Sequence, residues 1–172
     1  MKRKSGKRLA AIALAVALVV TGCDSGGNSP GGDMQPTITL VEAGRKVDEY
    51  AELARQAIGP DTKLGNPDKN YDFPCSNADG SPAKNRRDAR VSYQIEGTSV
   101  EKIPVYFDAI RAFWARSGFE VNDEEAPNRY LGGVNKANGF TMALKSNDLG
   151  EVYLKVSSPC VWRNGTPEPD KP

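Results

Sequence analysis

The stretch "RVSYQIEGTSVEKIPVYFDAIRAFWARSGF", residues 90–119, decides the fold. Its first part alternates. Val91, Tyr93 and Ile95 fall on one side of an extended chain, and Ser92, Gln94 and Glu96 on the other, the pattern of a half-buried strand. After Gly97 the period changes: Ile103, Phe107, Ile110, Phe113 and Trp114 recur at helical steps and share one face. Thr98 and Glu101 have capping-box spacing, while Pro104 suits a first helical turn, so the regular helix is expected to begin there. Gly118 is a natural left-handed stop, after which Phe119 would reach back over Trp114.

Working outward, "TITLVEAGRKVDEYAELARQAIGP" upstream places Leu40, Ala43, Val47, Ala51, Ala54 and Ile58 on one helical face. Thr39 and Glu42 fit a capping box, and Gly59-Pro60 supplies a stop. Downstream, "FEVND", "RYLGGV", "FTMALKS" and "EVYLKVSSPCVW" read as strands, the second weakened by its paired glycines. "KANG" (136–139) and "NDLG" (147–150) read as turns. Residues 60–89 show no periodicity, contain Pro60, Pro67, Pro74 and Pro82, and read as a long irregular loop. The order of helix, strand, helix and then a run of strands predicts an α+β fold. It would be a two-layer sandwich, an antiparallel sheet of about four strands with helices on one face.

The N-terminus follows a different logic. Lys2, Arg3, Lys4, Lys7 and Arg8 precede an apolar run from Leu9 to Val20. Twelve helical residues reach about 18 Å, short of a bilayer core of about 30 Å, so the run suits a secretory leader better than a membrane span. Val20-Thr21-Gly22-Cys23 resembles the lipobox of bacterial lipoproteins. That resemblance implies a signal peptide over 1–22 and attachment of diacylglycerol and palmitate-type chains to Cys23. It also implies a cell-membrane location, with the lipid-anchored domain facing the extracytoplasmic side. Residues 23–36 would then be the lipidated cysteine and a flexible linker, 37–162 a single domain, and 163–172 a disordered tail. The linker would span about 20 Å as a coil. Pro74-Cys75, Trp114 to Gly118 and Ser158 to Trp162 are also similar to patterns in small uncharacterised envelope lipoproteins of the actinomycete type. No activity follows from that likeness.

With Cys23 lipidated, Cys75 and Cys160 remain, and in an oxidising compartment they are expected to form one disulfide. Charge changes sign with processing. The whole chain carries 23 basic and 22 acidic residues; with five basic residues in the leader, 18 face 22 in the remainder. A net charge near −4 argues against nucleic acid as a partner.

The chain holds no histidine, which excludes triads of the Ser-His and Cys-His kind. "SPAK", Ser81 to Lys84, matches Ser-x-x-Lys but lies in a Pro-flanked loop without the companion motifs of that chemistry, and reads as a chance match. Asp68, Asn70 and Asp72 have the alternation of a calcium loop, but Phe73 stands where glycine is needed. No catalytic residue, metal site or cofactor is therefore expected, and the protein is read as a non-enzyme. "KNRRDAR" offers Arg86 and Arg87 as a possible surface for an anionic ligand, with Trp114 as an aromatic candidate. The expected function is a membrane-anchored, non-catalytic binding or accessory domain of the cell envelope, its partner an envelope protein or small ligand. The alternative is a carrier or sensor of a small apolar or lipid ligand, held between the sheet and the aromatic helix.

Overall fold

The computed structural model describes residues 36–167. The leader, Cys23 and most of the linker lie outside the described residues, as does the end of the tail. Helix α1 spans Leu40–Ile58, and its first turn is closed as the sequence suggests. Thr39 Oγ1 accepts from the Glu42 amide at 3.2 Å, and the Thr39 amide donates to the Glu42 carboxylate at 2.8 Å. Its buried face consists of Leu40, Ala43, Gly44, Val47, Ala51 and Ala54, mostly small side chains that let the helix lie close to its neighbours.

The strands are β1 (Leu64–Ser76), β2 (Pro82–Ile95), β3 (Phe119–Glu125), β4 (Tyr130–Asn135), β5 (Thr141–Ser146), β6 (Val152–Ser157) and β7 (Val161–Trp162). They form one antiparallel sheet in the order β1-β2-β6-β5-β4-β3, with β7 also beside β2. Helix α2 (Ile103–Ser117) follows a single 3-10 turn at Val100–Lys102 and has proline in its first turn. It ends on Gly118, whose φ of 75° is left-handed. Trp114 and Phe119 then stack, with ring centroids 6.1 Å apart. Thr98 does not cap α2: its hydroxyl donates to the Gly150 carbonyl at 2.7 Å, tying the chain before the helix to the β5–β6 turn.

Three expectations need correction. The sheet has seven strands instead of about four, because residues 60–89 are not an irregular loop. They supply β1, the turn at 77–81 and the first half of β2. No periodicity betrays β1 because it is an edge strand exposed over most of its length, with register shifts at Gly65/Asp68, Asn70/Phe73 and Pro74/Ser76. Bulges and edge positions are where a strand tolerates proline, here Pro67 and Pro74. The tail is ordered at its start. The Gly165 carbonyl accepts from the Thr37 amide at 2.8 Å, and the Arg163 carbonyl accepts from the Leu40 amide at 3.1 Å.

Between β3 and β4, Pro127 (φ −48°, ψ 117°) and Asn128 (φ 64°, ψ 24°) have the angles of a type II turn. The paired glycines of β4 are explained by packing. A Cβ on Gly133 would stand 2.6 Å from the Trp114 ring, so the indole requires a bare backbone there.

The core lies between the helices and one face of the sheet. Phe107, Ile110 and Trp114 of α2 and the α1 stripe meet Val91, Ile95, Met142, Leu144, Val152, Leu154 and Val156. Cys75 and Cys160 are disulfide-bonded, 85 residues apart in sequence, with Cα atoms 6.1 Å apart. Cys75 belongs to β1, while Cys160 lies in the break between β6 and β7. Both flanking strands pair with β2, so the bond straps across β2. At that break Ser158 keeps the pairing: its amide donates to the Ala89 carbonyl and its hydroxyl accepts from the Ala89 amide, both at 2.9 Å.

Candidate functional site

With both helices on one face, the other face of the sheet is open among the described residues, and the strand register gives its layout. One row across the strands runs Arg90, Ser157, Thr141 and Val134; the next runs Asp68, Ser92, Lys155, Ala143 and Gly132; a third runs Gln94, Tyr153, Lys145 and Tyr130. Side chains in these rows share a face because alternate residues of a strand point the same way. Two adjoining depressions of about 330 Å³ each open on this face. One is bounded by Asp68, Asn70, Phe73, Arg90 and Ser92, the other by Asn122, Tyr130, Gly132, Thr141 and Ala143, and they share Lys155 and Ser157. The floor is made of small residues, so the lysine rises from a shallow trough.

Arg90 is held in a fixed pose. Its guanidinium donates from Nε and Nη2 to the two Asp88 oxygens, both at 2.7 Å, and lies 3.6 Å from the centroid of Phe73. Asp88 is buried, and paired N–H donors on both oxygens are what a buried carboxylate needs. The Asp88 carboxylate also lies within 4.8 Å of both cystine sulfurs. These three groups have the composition of a metal site, but the sulfurs are bonded to each other and Arg90 occupies the carboxylate.

A second polar cluster joins α1 to β1 and β2. Asp48 accepts from Lys69 Nζ at 2.9 Å, from the Tyr71 hydroxyl at 2.6 Å and from the Tyr93 hydroxyl at 3.4 Å. Burial alone would raise the Asp48 pKa, but the bonds from Tyr71 and Lys69 outweigh it and hold the carboxyl below its usual value. The same contacts push Lys69 up, first through Asp48. This cluster docks the exposed strand β1 onto the helix.

The residues singled out from sequence do not converge. Arg86 Nη2 donates to the Cys160 carbonyl at 3.0 Å and faces the Trp162 ring. Arg87 Nε pairs with Asp72 at 3.1 Å, an acid that also binds Arg163. Both arginines brace the strapped end of the sheet. Trp114 is 1 % exposed and donates its indole N–H to Met142 Sδ at 3.0 Å, so it belongs to the core and shares no surface with them. Ser81 sits in the β1–β2 turn, its amide and hydroxyl both bonded to Asp79. Asp68, Asn70 and Asp72 lie along β1 instead of encircling a common point.

Lys155 and Lys145 were not singled out, although the alternation of "FTMALKS" and "EVYLKVSS" already puts each on the solvent side of its strand. Their adjacency depends on the pairing of β5 with β6, which a single strand does not reveal. No protein-family model matches the chain, and no curated protein or solved structure is significantly similar to it.

Proposed function

We propose that this is a membrane-anchored, non-catalytic binding domain of the cell envelope, held through lipid on Cys23, with the open face of the sheet as its recognition surface. The anchoring part rests on the lipobox-like Val20-Thr21-Gly22-Cys23 and the basic-apolar leader before it. No helix among the described residues is long and apolar enough to cross a membrane. The recognition part is carried by one observation: a broad sheet face left uncovered by the helices, troughed at its centre, with an exposed lysine in the trough.

The site offers hydrogen-bond donors and acceptors from Ser92, Ser157, Thr141 and Tyr130 and positive charge from Lys155. It holds no assembled nucleophile with a base. Binding is the chemistry such a surface suits.

Two measurements test the proposal. Palmitate labelling and membrane fractionation of the full chain and its Cys23→Ser variant test the anchor; unlabelled protein and unchanged fractionation would remove it. A photocrosslinking residue at Ser157 on the open face is compared with one at Ala112, exposed on α2. An adduct of defined mass from position 157, absent from position 112, is expected. Identical patterns from both positions, or none, would overturn the recognition surface.

A further inference from the structure

The open face carries a pattern that no single strand contains. Arg90 on β2 lies opposite Ser157, two residues from Lys155 on β6. Lys155 lies opposite Ala143, two residues from Lys145 on β5. The three cations therefore descend in a straight diagonal over three neighbouring strands, one step down for each step across. With strands about 4.8 Å apart and same-face residues about 6.8 Å apart, each step is about 8 Å. Arg90 is tied to Asp88, whereas Lys155 and Lys145 have no ion-pair or hydrogen-bond partner among the described residues.

Asp88 stands within this face, spent on Arg90, and Glu151 accepts from the Tyr153 hydroxyl at 3.1 Å and from Gln94 at 3.4 Å beside the third row; the other acids of this face among the described residues stand at its margins. Asp68 stands on the β1 side, and Glu120 and Glu125 stand on β3, opposite Val134 and Tyr130. Beyond residue 22 the chain has an excess of four acids, so the two unpaired lysines of the diagonal, with Arg90 balanced by Asp88, make a local excess of positive charge. Tyr153 and Tyr130 stand on either side of Lys145 in one row, offering ring faces beside the charge, with the Tyr153 hydroxyl donated to Glu151 at 3.1 Å.

We infer that this diagonal binds an anionic sugar or polyol chain, one negative charge per repeat, laid across the strands from Arg90 to Lys145. The inference rests on the proposed binding role and names the class of ligand. Spaced single cations match a chain with spaced single anions better than one compact dianion. The tyrosines and the small hydroxyl side chains between the cations suit the intervening sugar or polyol units. An exposed ion pair contributes well under a factor of ten, so affinity comes from several repeats engaging together and falls as salt rises.

The test is titration calorimetry of the purified full chain with trigalacturonate, with a trimer of glycerol phosphate, with uncharged maltotriose and with single-stranded DNA. Binding of at least one of the first two is expected, weakening with salt, with no binding of maltotriose. The Lys145→Gln, Lys155→Gln double variant should lose about tenfold in affinity at an unchanged thermal midpoint. A response to trigalacturonate alone identifies a carboxylated saccharide, and to glycerol phosphate alone a polyol phosphate; either supports the class. Absence of binding by both, equal affinity in the double variant, or tighter binding of DNA would overturn it. Crosslinking from position 157 that persists while these titrations fail would leave the recognition surface standing and remove only the ligand class.

Discussion

Gly133 and Trp114 form a matched pair: the indole fills the place where any other residue would carry its Cβ. Gly133→Ala is therefore expected to cost about 1–3 kcal/mol, the range of overpacked cores, read as a lower urea midpoint with an unchanged slope. The cap at Thr39 gives a pH-dependent counterpart. Bonds from the Thr39 amide and then its hydroxyl hold the Glu42 pKa below 4.5. A carboxyl with a depressed folded-state pKa stabilises fully above its unfolded value and loses that contribution as pH falls through the folded one. Wild type should thus exceed Glu42→Gln in stability at pH 7, and the gap should close as pH drops below 4.5, measured by urea unfolding at several pH values.

The elements around residues 90–119 were legible because each buries one face only. Val91 and Ile95 alternate against Ser92 and Gln94, while Phe107, Ile110 and Trp114 keep helical spacing; the glycine stop and the stacking of Phe119 followed. Strand β1 was not legible. Tyr71 and Phe73 are more than a third exposed, and the bulges reset the alternation before it can repeat. The trough was half legible. The solvent side of Lys145 and Lys155 could be read within each strand, whereas their diagonal needs the register between strands. The disulfide was legible from the cysteine count, but its course across β2 was not. Closing a loop of this size contributes about 4–5 kcal/mol in the chain-entropy model. The Cys75→Ser, Cys160→Ser double variant should lose about that much in urea unfolding, with β1 the first strand to exchange its amide hydrogens.

At the scale of the whole molecule the sheet divides the labour. One face is spent on the core, and the other stays polar and troughed, with the unpaired Lys155 and Lys145 near its centre. Two kinds of exposed edge frame it: β1, irregular and carrying prolines, and β3, which ends in three acids, both features that discourage pairing with a further strand. The strap from Cys75 to Cys160 also alters what cleavage can do. It closes a covalent circuit through the β1–β2 turn, α2 and strands β2 to β6. A protease that severs one peptide bond anywhere within residues 76–159 opens the circuit without freeing either piece. The nicked protein keeps both halves in a single covalent molecule, parted only when the cystine is reduced.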